Sequence, residues 1–154
     1  MNPKQHRIAI IGAGPIGLEM AVGLKRAGLD YLHFEKGQIG HTISWFPPNM
    51  RFFSSPERIA IAGVPIPKTD QSKATKEEFL AYLRSVVEQF DLQIRTYEPV
   101  TAVDAVEDEL FRLHTQYRGE AQVYEVENVI FAIGDMHKPR RLDLGMTPVA
   151  SASA

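Results

Sequence analysis

Residues 7–11, RIAII, make a short β-branched apolar run that stops at a glycine, the pattern of a buried strand. Residues 15–27 continue with helical spacing. Ile16, Met20, Ala21 and Leu24 fall at i, i+4, i+5 and i+8 and predict one apolar face, with Glu19, Lys25 and Arg26 on the other. Pro15 suits a first helical turn and Gly28 a C-terminal cap. Residues 31–35 predict a second strand. A β-α-β unit of about 30 residues makes its two strands parallel.

The pattern then breaks. Residues 37–67 hold half of the ten prolines, together with Trp45, Phe46, Phe52 and Phe53. The prolines exclude a central strand or a long helix, leaving room for a short helix near residues 57–60. Long irregular segments in compact domains are usually functional or disordered, and large aromatics argue against disorder. Regularity returns at Thr75, which with Glu78 forms a T-x-x-E capping box. Phe79, Leu80, Leu83, Val86, Val87 and Phe90 follow at helical spacing. Residues 93–96 predict a short strand. Residues 100–106, 110–116 and 122–126 predict an antiparallel meander, placed on the helix side of the core, and residues 129–133 a last apolar strand ending at Gly134. Residues 141–154, rich in small residues, are expected to be a frayed tail.

Composition narrows the function classes. The 154 residues are 44% hydrophobic, enough for one core, and the net charge of -2 gives no electrostatic case for nucleic acid or an anionic membrane. No window approaches the roughly 20 apolar residues of a membrane span. The first residues do not form a secretory leader, so a cytoplasmic location is expected. There is no cysteine, which excludes disulfides, thiolate metal sites and a CxxC pair within these residues. The five histidines lack the spacing of a helical zinc site, and no metal site is expected. Ser54 and Ser55 lack a nucleophile-elbow context. His33 inside a strand reads as packing. Glu107, Asp108 and Glu109 read as a solvated turn. Asp135 and His137 read as loop residues rather than an acid–base pair, and no catalytic residue is assigned.

The chemistry concentrates at the first glycines. Gly12-x-Gly14-x-x-Gly17 lies between a predicted strand and a predicted helix. The three glycines serve a tight turn, close approach of backbone to a pyrophosphate, and close helix–strand packing. The helix N-terminus offers N–H groups and a positive dipole end to phosphate. The second strand ends in Glu35, 18 residues beyond Gly17. A carboxylate there accepts both ribose hydroxyls of an adenosine and repels a 2′-phosphate, which disfavours NADP at this turn. Lys36 is either a solvated strand-end lysine or a second adenosine contact. The fingerprint alone leaves FAD and NAD both open.

"GAGPIG", the Glu35-Lys36-Gly37 triplet, "SWFPPNMRFFSSPERIAIAGVP" and "FAIGDMHKP" together resemble the flavin-dependent pyridine nucleotide oxidoreductases. The similarity is to the thioredoxin-reductase-like and flavin-monooxygenase-like groups. Residues 46–65 look most like bacillithiol-disulfide-reductase-like proteins. The resemblance covers residues 7 to about 140. It implies a Rossmann-like α/β fold, a parallel β-α-β core with an antiparallel meander, and residues 1–140 as the FAD-binding part of a longer enzyme. It implies that Gly12, Gly14, Pro15, Ile16, Gly17, Glu35 and Lys36 bind the adenine dinucleotide half of FAD. It places Thr42, Ile43, Ser44 and Trp45 along the flavin and gives Val100 a backbone contact to adenine. Trp45, Phe46, Phe52 and Phe53 either stack on the flavin or form core beneath the loop. Residues 132–139, with Ala132 and Gly134, resemble the family's ATGxxxxP segment, here with Ile133 in place of Thr.

In that family an NAD(P)H domain with its own GxGxxG follows, and then a return segment completes the FAD site; the present sequence is expected to stop before both. The implied cofactors are FAD here and NAD(P)H in the full-length family. The implied partner is a further domain or a separate chain supplying the NAD(P)H site, and nothing indicates an oligomeric state. Two other readings stay open: a nucleotide-binding module without chemistry of its own, and a single-domain NAD-binding protein.

Overall fold

The computed structural model describes residues 5–107 and 110–136. The elements run β1 (Gln5–Ile11), α1 (Pro15–Arg26), β2 (Leu32–Glu35), α2 (His41–Ser44), α3 (Pro56–Ile59), α4 (Lys76–Gln89), β3 (Arg95–Thr96), β4 (Val100–Glu107), β5 (Leu110–Tyr117) and β6 (Glu120–Phe131). They form a six-stranded sheet in the order β3-β2-β1-β6-β5-β4. β1 is parallel to both β2 and β6, and β3 is parallel to β2, while β4, β5 and β6 pair antiparallel. The expected β-α-β core with an antiparallel meander is therefore present.

Three local expectations need correction. First, residues 122–126 and 129–133 are not separate strands; β6 runs unbroken over 12 residues. Each half finds its own partner: residues 120–126 pair with β5 and residues 125–131 with β1. The intervening Glu127-Asn128 has no reason to turn, and Asn128 donates its side-chain amide to the Arg7 carbonyl. Second, the meander does not lie on the helix side. Ile10 packs into the core under α1 and α4, whereas Ala9, Leu32 and Phe34 pack with Leu113 and Val126 on the opposite face. Strands apolar on both faces need cover on both, and the meander supplies the second. Third, the buried face of α1 is Gly17, Leu18, Ala21 and Val22, while Ile16 is 69% exposed and Met20 39%. Gly17 must face the sheet, and that sets the rotation of the whole helix.

The start of α4 is as expected. Glu78 donates its N–H to Thr75 Oγ1 at 3.2 Å, and Thr75 donates its own to Glu78 Oε2 at 2.7 Å. A polar tie joins the two halves of the sheet. Glu98, 1% exposed, accepts from Thr115 Oγ1 at 2.7 Å and from the Tyr124 hydroxyl at 3.0 Å, and pairs with Arg95 at 3.4 Å. Its own N–H donates to the Glu35 carbonyl at 3.0 Å, which carries the start of β4 to the end of β2. Burial, and the Glu98 carboxylate accepting its hydrogen bond, raise the Tyr124 pKa. The tail expectation falls outside the described residues.

Candidate functional site

The turn between β1 and α1 is built from three glycines with three different constraints. Gly12 has φ +108°, and a Cβ there would lie 2.4 Å from the Ala132 carbonyl oxygen. A Cβ on Gly17 would lie 1.9 Å from the Gly12 oxygen. A Cβ on Gly14 would meet nothing within 4 Å. Two glycines are thus demanded by the protein's own packing. Gly14 is not, and its bare backbone faces open space where a pyrophosphate can approach. Pro15 opens α1, so the missing N–H falls where no intrahelical acceptor exists. Ile16 and Gly17 follow in the same first turn, whose N–H groups have no acceptor within the helix.

The surrounding elements hold this turn rigidly. Gly12 donates to the Phe34 carbonyl at 2.7 Å, Gly40 to the Ala13 carbonyl at 3.0 Å, and Ala132 to the Ile11 carbonyl at 2.9 Å. The strand end carrying Ala132 and Gly134, the latter at φ +67°, therefore abuts the turn directly. Glu35, 6% exposed, accepts the Ala13 N–H on Oε2 at 2.7 Å and the Gly37 N–H on Oε1 at 2.9 Å. Each oxygen takes one backbone N–H and keeps a lone pair for a further donor such as a ribose hydroxyl.

The remaining expected residues divide by position. Lys36 is exposed, and its ammonium lies 5.9 Å from the centre of the Trp45 ring. Trp45, 53% exposed, also meets His41 edge-on at 4.9 Å. These two side chains share one rim beside Glu35. Thr42 and Ser44 are half-buried on α2, and Ser44 Oγ bonds the His41 carbonyl. Ile43 is buried in the core, so its side chain packs beneath the site. Phe46 and Phe52 also pack against the core, with Phe52 4.7 Å from Phe79, whereas Phe53 is 95% exposed under the Lys73 ammonium. Val100 opens β4, brought near β2 by the Glu98–Glu35 bond. Asp135 is exposed, and His137 lies outside the described residues. Among the described residues no group of three or more His, Asp or Glu converges as a metal site, and no helix is long and apolar enough to cross a membrane.

Sequence reading missed one contact. His33 is 1% exposed, and its Nε2 lies 2.9 Å from the Gly12 carbonyl oxygen. It sits two residues before Glu35, hence on the same face of β2. That alternation was the available signal.

A sequence profile describing pyridine nucleotide-disulphide oxidoreductases matches residues 9–151. The chain belongs to the pyridine nucleotide-disulphide oxidoreductase family. Within it, the chain is similar to bacilliredoxin reductase Bdr of Bacillus subtilis (strain 168), 39% identical over 85 residues, which are 55% of this chain and 26% of that protein. It is also similar to the structure of the bacillithiol disulfide reductase Bdr (YpdA) from Bacillus cereus. That match has a TM-score of 0.78 at 31% identity, over 83% of this chain and 39% of the other. A crystal structure of OTEMO in complex with FAD and NADP aligns with a TM-score of 0.77 at 26% identity, over 93% of this chain and 28% of the other. The fold is thus the Rossmann-like α/β fold of the flavin-dependent pyridine nucleotide-disulphide oxidoreductases. The chain spans well under half the length of each of these relatives.

Proposed function

We propose that this chain is the FAD-binding portion of an NAD(P)H-dependent flavoprotein oxidoreductase, with residues 1–140 forming the FAD-binding unit. The observation that carries this is the Gly14 cradle beside Glu35: a turn open on its phosphate side, with a buried carboxylate fixed to its backbone. In this reading Gly12, Gly14, Pro15, Ile16 and Gly17 take the pyrophosphate, and Glu35 takes the ribose hydroxyls with Lys36 at its rim. The Val100 backbone meets adenine. Residues 42–45 and the Ala132–Gly134 strand end line the flavin side. The bound flavin supplies the redox chemistry, relaying electrons from NAD(P)H to a disulfide, oxygen or another acceptor. The protein's residues bind and orient it; no side chain here is assigned a covalent or proton-transfer role.

The NAD(P)H site and the closure of the FAD site come from a further domain or a separate chain. The sheet supports this. Among the described residues, residues 127–131 of β6 pair only with β1, because β5 has left the register by Val126. Beside that edge lies a cleft of about 810 Å³ lined by Ile8, Val103, Ala105, Phe111, Asn128, Val129, Ile130 and Phe131. An open strand edge next to apolar surface is a place where another strand adds.

Trp45 is the single tryptophan, so its emission reports on the site directly. Titration of the purified chain with FAD should quench it in a saturable way, and NADP should do so far more weakly. Absence of any saturable FAD response would refute the reading, and tighter binding of NADH than of FAD would favour a single-domain NAD protein instead.

A further inference from the structure

We propose that His33 is a positioning residue of the nucleotide-binding turn: with Glu35 it clamps opposite ends of the Gly12–Ala13 peptide and presets the turn before ligand arrives. The two residues are two apart in β2 and project to one face. Glu35 Oε2 accepts the N–H end of that peptide at 2.7 Å, and His33 Nε2 meets the carbonyl end at 2.9 Å. A carbonyl only accepts, so the proton is on Nε2. The Gly12 oxygen also occupies the space that a Cβ on Gly17 would take, so it is wedged between strand and helix, where a donor is required. Rotation of this one peptide would withdraw the Ala13 N–H from Glu35 and turn the loop away from its open side.

The arrangement carries a cost that packing alone would not accept. With Nε2 donating, Nδ1 is a buried acceptor with no hydrogen-bond partner among the described residues. Its register neighbour on β1 is Ile10, so an apolar residue would suit position 33. A buried polar group retained against stability marks a position held for geometry. Burial of the ring lowers its pKa, in keeping with a neutral donor.

The inference rests on the FAD reading for its functional half, and the test separates the two. In the ligand-free 154-residue chain, ring ¹⁵N shifts should place the His33 proton on Nε2. His33→Leu removes the unpaired Nδ1 but leaves the Gly12 carbonyl without its donor, so it should melt close to the wild-type temperature, yet exchange its Ala13 amide faster and bind FAD roughly five- to tenfold more weakly, the size of one hydrogen bond. His33→Gln, whose Nε2 amide can reach the same carbonyl, should restore slow Ala13 exchange and bring affinity to within roughly twofold of wild type. A proton on Nδ1, unchanged Ala13 exchange in His33→Leu, or parallel loss of stability and affinity without rescue by His33→Gln would overturn the proposal. If wild-type chain binds no FAD, the functional reading fails, and the tautomer and Ala13 exchange still decide whether the clamp exists.

Discussion

Glu35 Oε2 accepts the Ala13 N–H at 2.7 Å, so the carboxylate that ends β2 holds the glycine turn that follows β1. Its other oxygen holds the Gly37 N–H at 2.9 Å. One side chain therefore fixes both the turn before α1 and the turn after β2.

Removing it should harm fold and site together. Glu35→Ala leaves two backbone N–H groups without their acceptor, and the loss of stability should be about 2–3 kcal/mol by urea denaturation. Saturable quenching of Trp45 by FAD should disappear in the same variant. Wild-type affinity in Glu35→Ala would exclude the ribose contact.

The glycines should separate stability from binding. A methyl at Gly17 meets the Gly12 oxygen at 1.9 Å, so Gly17→Ala should cost at least about 3 kcal/mol or prevent folding. A methyl at Gly14 meets nothing, so Gly14→Ala should cost less than about 1 kcal/mol as an N-cap change. Its FAD affinity should nevertheless fall, because the methyl enters the open space that the proposed function gives to the pyrophosphate. Equal melting temperatures for the two variants would contradict the packing described.

Stability should fall in mild acid through His33. Desolvation lowers its pKa from the ordinary 6.5, outweighing the opposing influence of the Gly12 carbonyl and of Glu35, the nearby carboxylate; Tyr31 meets the ring edge-on. The unfolded chain then binds the proton more readily than the folded one. Stability is complete above about pH 6.5 and declines as pH falls toward the lowered folded value. The drop in urea midpoint between about pH 7.5 and pH 5 should be smaller in His33→Leu than in wild type.

Glu98 ties the meander to the parallel strands, and Glu98→Ala should loosen that junction. Two hydroxyls lose their shared acceptor, and Arg95 loses its partner. Arg95 is itself about half exposed and can turn to water, so the loss belongs near the low end for broken buried pairs, about 3 kcal/mol. Amide exchange should accelerate first around Thr115 and Tyr124, while the Gly12 and Ala13 amides stay protected. A uniform change across the sheet would contradict a local tie.

Much of the site was legible in the sequence because its demands are local. The backbone conformation at Gly12, the helix start at Pro15, the capping box at Thr75 and a carboxylate at the end of the second strand each follow from a few neighbouring residues. The aromatic segment was legible only as a segment. Trp45 and Phe53 lie at the surface while Phe46 and Phe52 pack inward, a division that depends on where α4 passes.

By itself, then, the sequence determined a β-α-β unit with a tight glycine turn between strand and helix, since steric limits on each residue and the 3.6- and 2-residue periods act along the chain. Only the tertiary structure decided which face of α1 is buried, because Gly17 must meet the Gly12 oxygen across space. Only it joined two expected strands into β6, because two different neighbours pair with its two halves. Only it set His33 beneath Gly12, a contact between residues 21 apart in the chain; alternation along β2 places His33 on the face of Glu35 but not against this carbonyl.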